Sequence, residues 1–504
     1  MARDRGRPAA LRRAFQPEPA GRASRVTDCP AAPPGCGPGV PAGEPAGRRP
    51  IHHGPPFSAF PAVHRVKILC ITTRSPWPLF EGRALRSYNL IREAAREHEV
   101  HLLSFVQTQE DAEGIEHMRS ICPLVEAHRL HMGWRRWELL LDALREPFTH
   151  RPLQILKYET AAMRRRVAEL VAEHRYDLVH LDMLHLAGYM DVVGGTPVVL
   201  AQHNVEATIL RRRAETDTHL LRRAYLRYQQ AKLARYEARA CRRAARVVAV
   251  SDVDARELQR MSGRRDIAVV PNGVDTGYFD LPQAAVRAGR LVFVGAFTWF
   301  PNQDAVAYFC ERILPLVQAQ VPEAHLTVVG RQPDTAAVRR LAALPGVELA
   351  GLLEDIRPTV AEAAVYVVPL RIGGGTRLKI LDALSLSKAI VSTSVGCEGL
   401  EVTHGQDILV ADEPAEFAAR IVELLRQPQA AAELGRRGRE TAVSRYDWSR
   451  VAQGLMAVYR QAARAGRPPA RAAARARPRL ARTAAAIGAA MGLAGAAMML
   501  MADA

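Results

Sequence analysis

One stretch of the chain gathers residue types that grip anions. Arg371-Ile372-Gly373-Gly374-Gly375-Thr376-Arg377-Leu378-Lys379-Ile380-Leu381-Asp382 follows an apolar run at 364–369 and opens a helical pattern over 376–387. The glycines Gly373, Gly374 and Gly375 let backbone approach a ligand closely. Thr376 is a residue type that caps helices. A helix start offers free N–H groups and positive dipole to a phosphate. Arg377 and Lys379 put two cations in that first turn, where the dipole disfavours them unless an anion offsets the cost. Asp382, three residues after Lys379, shares its helical face and could accept bonds from a ribose diol. A flexible loop followed by a surface ion pair is the plainer reading of the same residues.

Other polar clusters stand at the ends of apolar runs. Ala201-Gln202-His203-Asn204-Val205-Glu206 follows 197–201, and His203 could exchange hydrogen bonds with a hydroxyl near neutral pH. Ser75-Pro76-Trp77-Pro78-Leu79-Phe80-Glu81-Gly82-Arg83 follows 66–72, with Gly82 placed to bring backbone N–H groups to a phosphate. Pro271-Asn272-Gly273-Val274-Asp275 has turn chemistry and reads as a hinge that could line a cleft. Asp252-Val253-Asp254 has the spacing of a metal-binding pair, but after Ser251 it reads as a helix cap.

These clusters need elements to hold them. Strand patterns at 66–72, 100–105, 177–181, 197–201 and 246–251 alternate with helical ones at 83–97, 159–174 and 207–243. A second series has strands near 290–295, 324–330, 347–350, 364–369 and 389–393, with helices near 301–319, 334–343, 376–387 and 414–426. Apolar strands alternating with helices predict parallel, doubly wound α/β sheets. Two series joined near Pro271–Pro282 predict two Rossmann-like domains, at 63–280 and 281–445, whose strand ends face one cleft. A final amphipathic helix is expected at 446–463.

Composition confines the rest. The chain has 504 residues and a net charge of +17. Residues 1–62 contribute nine Arg against four acids, and 464–504 contribute seven Arg against Asp503, so the high charge is largely a property of two tails. That argues against a nucleic-acid partner, which needs a basic face on a folded module. Residues 1–62, with 13 prolines and eight glycines, cannot bury enough apolar surface to order and read as disordered. The uncharged run 484–502 is long enough to span a bilayer, behind a basic collar at 464–482; a low-complexity tail reads equally from it. Residues 211–246 carry 12 basic side chains against Glu215, Asp217 and Glu237, which suits either a solvated helix or an anionic membrane surface. The seven cysteines show neither C-x-x-C nor zinc spacing, which predicts reduced thiols, no metal site and a cytoplasmic setting.

Over 66–463 the ordered set of motifs resembles the retaining glycosyltransferases of family 4, which have the GT-B fold. The likeness rests on the Gly82 loop, His203-Asn204-x-Glu206, Val250-Ser251-x-x-Asp254, Pro271–Asp275 and Val294-Gly295. It continues through Pro301-Asn302, Val329-Gly330-Arg331, Gly373–Asp382, Thr393-x-x-Gly396-x-Glu398-Gly399-Leu400 and Tyr446-Asp447-Trp448. The resemblance implies sugar transfer from a nucleotide diphosphate sugar with the anomeric configuration kept, and no metal or other cofactor. It implies that His203, Arg377 and Lys379 are catalytic. It places donor contacts at Gly82, Gly295, Asn302, Arg331, Gly373, Gly374, Gly375, Thr376 and Asp382, and cleft or acceptor contacts at Asn204, Glu206 and Asn272. Two positions depart from the family pattern. Gly374 stands where the first acid of the E-x7-E pair belongs, and Phe297-Thr298-Trp299-Phe300 replaces the usual basic pair. The expectation is a glycan or lipid-linked acceptor in envelope or exopolysaccharide synthesis, at the inner face of the plasma membrane. A nucleotide-sugar epimerase and a catalytically silent, membrane-tethered assembly protein remain as alternatives.

Overall fold

The structure is a computed structural model. It describes residues 65–466, apart from 80–81, 131–145, 147–148, 218, 282–283 and 373–375. The expectations for the tails at 1–62 and 467–504, and for Gly373, Gly374 and Gly375, lie outside the described residues.

The first sheet has seven parallel strands: β1 Lys67–Thr72, β2 Glu99–Val106, β3 Leu124–Arg129, β4 Leu178–Asp182, β5 Val198–Ala201, β6 Arg246–Ala249 and β7 Ile267–Val269. Their order is β3-β2-β1-β4-β5-β6-β7. The second has six: β8 Arg287–Val294, β9 His325–Val329, β10 Val347–Gly351, β11 Ala363–Val368, β12 Ile390–Ser392 and β13 Leu409–Val410. Their order, β10-β9-β8-β11-β12-β13, repeats the first pattern. Both are two Rossmann-like halves, as the alternating series predicts. Central strands such as KILCIT in β1 are apolar on both faces because helices cover both faces. β3, β7 and β13 escape the sequence reading; β3 has a single buried position and carries Glu126, His128 and Arg129, while β7 is only three residues long and β13 two.

Helices α1 Gly82–Glu97, α2 Glu206–Thr216, α3 Leu220–Arg243 and α4 Asp252–Ser262 belong to the first lobe. Helices α5 Phe300–Tyr308 and α6 Leu378–Ser385 belong to the second, and α7 Trp448–Arg464 follows it. The single helix expected over 207–243 is two. The chain breaks where the Asp217 carboxylate accepts the His219 N–H at 2.9 Å and pairs with Arg222. The two helices then pack side by side, with the Glu237 carboxylate of α3 accepting the N–H groups of Glu206 and Ala207 at 3.1 Å each. The helix expected over 301–319 is broken by a wider turn at Phe309–Ile313, just before Pro315, which has no N–H to donate. The helix expected from 376 begins at Leu378, because the Thr376 hydroxyl is engaged elsewhere.

The last helix crosses back. Val274 N–H donates to the Tyr446 carbonyl at 2.8 Å, and Trp448 N–H to the Val274 carbonyl at 3.2 Å. From there Trp448, Val451, Leu455, Met456 and Tyr459 of α7 join Tyr88, Leu90 and Ile91 of α1 in a core on one face of the first sheet. Among the described residues no helix is long and apolar enough to cross a membrane. The anchor expected at 484–502 lies outside them.

Candidate functional site

In each sheet the strand order reverses at one place, between β1 and β4 and between β8 and β11. Ligands of open parallel sheets settle outside the strand ends at such a place. Here the two places face each other. Gly82 and Arg83 follow β1, and Met183, His203 and Asn204 follow β4 and β5. Across from them, Trp299 and Asn302 follow β8, while Leu370, Thr376, Arg377 and Lys379 follow β11. Together they line a cavity of about 320 Å³.

The cavity is cationic. Arg83, Arg86, Arg377 and Lys379 line it, and among the described residues no carboxylate does. Burial makes these charges costly. It lowers Lys379 to about 7, with Arg377 pushing the same way and Asp382 opposing. It lowers Arg86 to about 10, opposed by Asp182 and Tyr459. It lowers Arg377 too, opposed by Glu398. Buried cations at such cost are suited to meeting an anion.

Two of these cations are held by identified partners. The Lys379 ammonium donates to Asn302 Oδ1 at 2.9 Å and lies 4.1 Å from the Phe293 ring centre. Asn302 is fixed in turn by donating Nδ2–H to the Ala296 carbonyl at 2.8 Å. Gly295 makes room for the pair: a Cβ there would lie 2.7 Å from Lys379 Nζ and 2.8 Å from Asn302 Nδ2. Arg86 donates to the Val270 carbonyl at 2.8 Å, the Pro271 carbonyl at 2.7 Å and Asn272 Oδ1 at 3.0 Å. Asn272 then donates across the cleft to Thr376 Oγ1 at 2.6 Å. The lobes are tied again where Arg212 of α2 donates to both carboxylate oxygens of Glu398, at 2.9 and 2.8 Å.

On the first lobe, His203 Nε2 lies 2.6 Å from Asp182 Oδ1 at the end of β4. Burial alone would raise the Asp182 carboxyl; its contacts with His203 and His180 outweigh that and hold it well below the usual range.

Eight expected residues thus meet in one cavity: Gly82, His203, Asn204, Asn272, Asn302, Thr376, Arg377 and Lys379. Gly295 backs it. One of these and three others depart from expectation. Thr376 lines the cavity but is not the helix cap; that position is Arg377, and the Thr376 hydroxyl takes the bond from Asn272. Arg331 is exposed outside the lining and gives its backbone carbonyl to Phe297 N–H at 2.8 Å, because Gly330 (φ 143°) turns the chain against Gly295. Asp382 does not line the cavity; burial pushes its carboxyl up to about 7, with Lys379 opposing. Glu206 does not line it either, its carboxyl pushed up to about 7 by burial against a hydrogen bond from Asn204. Sequence reasoning missed Arg83, Arg86, Met183, Trp299 and Asp182. Arg83 and Arg86 are i and i+3 on α1, a signal lost in a chain with 69 basic residues.

Residues 82–278 match the family model of Glycosyltransferase Family 4, and residues 288–427 match that of Glycosyl transferases group 1. A Klebsiella pneumoniae protein described as an uncharacterized 44.6 kDa protein in the cps region is 20% identical over 367 residues, covering 71% of this chain and 90% of that one. The phosphatidyl-myo-inositol mannosyltransferase of Mycolicibacterium smegmatis is 28% identical over 228 residues, covering 44% of this chain and 58% of that one. Among solved structures, Anabaena HepE in complex with UDP and glucose superposes with a TM-score of 0.57 at 15% identity, covering 78% of this chain and 99% of that one. At that identity the likeness concerns the fold.

Proposed function

The chain belongs to the family 4, group 1 glycosyltransferases and has the GT-B fold, and from that premise we propose that it moves a sugar from a nucleotide diphosphate sugar, with retention of configuration, to a glycan or lipid-linked acceptor. The observation that carries this reading is the cationic cavity between the two strand-order reversals. A departing nucleoside diphosphate gathers negative charge as the sugar bond breaks. Arg377 and Lys379 supply preorganised positive charge where that anion would sit, which lowers the barrier. Asn302 holds Lys379 on target. His203, on the opposite lobe, is in reach of the sugar and its acceptor. Asp382, buried outside the lining, favours the charged form of Lys379, and the ribose contact expected of it is not part of this proposal. Arg83, Arg86 and the N-terminal backbone of α1 complete the diphosphate cradle.

Anabaena HepE is solved with UDP and glucose, which supports a uracil nucleotide as the first donor to try. The Klebsiella relative's place in a cps region and the lipid named in the Mycolicibacterium enzyme support envelope or exopolysaccharide assembly. Work at the inner membrane face is supported by α3, which begins with Leu220 and Leu221, 73% and 81% exposed, next to Arg222 and Arg223. Sedimentation with anionic vesicles, lost in a Leu220→Ser/Leu221→Ser variant, is the expected outcome; unchanged sedimentation removes α3 from the membrane role.

The first test is calorimetric titration of the full chain with UDP, GDP, ADP and CMP. One diphosphate binds. Lys379→Ala and Arg377→Ala each weaken it by about 1.5–3 kcal/mol, tenfold or more, as loss of a charge-assisted bond requires. Affinity unchanged in both variants would sink the diphosphate site. Proton NMR of the product then reads the anomeric configuration, and inversion would refute retention.

A further inference from the structure

Asp182 is 5% exposed and each of its oxygens has a partner. Oδ1 faces His203 Nε2 at 2.6 Å, and Oδ2 accepts the Ser87 hydroxyl of α1. His180, two residues back on β4, lies 3.8 Å from Oδ1 through Nε2, and its Nδ1 is 3.1 Å from the Tyr459 hydroxyl of α7. The other groups that face Asp182 are the Arg86 guanidinium of α1 and the Cys70 thiol of β1. The arrangement therefore runs from the last helix, through the end of a central strand, to the one histidine that lines the cavity among the described residues.

A carboxylate with its charge intact only accepts hydrogen bonds. The ring nitrogen against Oδ1 must then carry a proton. In the neutral imidazole this leaves the other nitrogen as an acceptor, and a partner of this kind also fixes the ring plane.

We propose that Asp182 is the positioning residue of His203: it holds the imidazole with the proton on Nε2 and reserves Nδ1 for the ligand in the cavity. Ser87 holds the second carboxylate oxygen, so that the carboxylate itself cannot swing. Tyr459 and His180 brace it from behind. With Nδ1 reserved, the neutral ring accepts from a sugar hydroxyl. The wrong tautomer would present an N–H to that hydroxyl and leave Oδ1 facing a bare lone pair. The value of this to catalysis rests on the proposed sugar transfer; the tautomer itself does not.

The test needs no ligand. The full chain labelled with 15N-histidine gives two-bond proton–nitrogen correlations at pH 8, with His203 assigned by its loss in His203→Asn. The expected spectrum shows Nε2 protonated and Nδ1 bare. Asp182→Asn yields mixed tautomers, whereas Ser87→Ala keeps the wild-type pattern. Nδ1–H in the wild-type chain, or an Asp182→Asn spectrum identical to it, overturns the proposal. Should Asp182→Asn fail to fold, the wild-type spectrum decides alone. In the folded variant, the expected kinetic result is a kcat for sugar transfer lowered roughly tenfold or more, with nucleoside diphosphate affinity within about twofold of wild type. A fall in affinity that accounts for the whole loss makes Asp182 a binding residue and overturns the assignment. A chain that binds no nucleoside diphosphate at all, yet shows the expected tautomer, refutes the sugar transfer and not the positioning.

Discussion

Lys379 keeps its charge against two opponents, the low polarity of its surroundings and the neighbouring Arg377, with Asp382 as counterweight. At about 7 it is only partly protonated in neutral solution. An anion arriving beside it raises that value, so binding must take up a proton. Titrations at pH 7.5 in buffers of different ionisation enthalpy should show uptake, and affinity for the diphosphate should rise as pH falls from 8 to 6.5. Proton release, or no pH dependence, would mean that Lys379 does not face the phosphates. Gly295→Ala tests the same geometry from the other side. A methyl 2.7 Å from Nζ must displace the ammonium or Asn302, so affinity should fall about as far as in Lys379→Ala, with little loss of melting temperature. At this scale the sequence was legible wherever backbone demands fix a residue type. Gly82 stood out in that way, whereas Gly295 and Asn302 were legible only through the family resemblance. Asp182 did not stand out, because nothing along the chain announces which carboxylate at a strand end will meet a histidine 21 positions later.

Among elements, α2 and α3 are joined by the buried carboxyl of Glu237, pushed up to about 8 by burial and then by Glu206. A raised carboxyl binds its proton more tightly in the folded chain than in the unfolded one. Stability is therefore greatest below the unfolded value near 4.5 and is lost as pH rises toward 8. Glu237→Gln removes one titrating group and should flatten the decline in melting temperature between pH 5 and 8. It should also cost about 1 kcal/mol at pH 5, because one of the two N–H acceptors becomes a donor. An unchanged pH slope would show that Glu237 does not titrate in that range. Strands long enough to alternate or to stay wholly apolar were readable. The break between α2 and α3 was not: it depends on Asp217 choosing the His219 N–H over the helix, a local competition that periodicity does not register.

For the whole molecule, the second lobe's sequence is bracketed by two parts of the first. Trp448, Val451, Leu455, Met456 and Val458 of α7 are all buried in the core beneath α1. Each contributes about 1.5–3 kcal/mol by leaving water, and together they rival the 5–15 kcal/mol that holds a domain folded. A chain ending at Tyr446 should lose the first lobe, read as rapid cleavage within 82–270 under limited proteolysis; equal resistance would show that α7 is dispensable. The two-lobe plan was legible because both series repeat one rhythm. The ties between lobes, Asn272 to Thr376 and Arg212 to Glu398, were not, since they join residues 104 and 186 positions apart. The crossing helix also sets a timetable for synthesis. Val270 leaves the ribosome about 180 residues ahead of Trp448, a lag of roughly 10–40 s at 5–20 residues per second. Throughout it the apolar face that α1 shares with α7 in the finished protein is only half covered. Any message cut short in the second half yields a product that cellular proteases can tell from the finished enzyme.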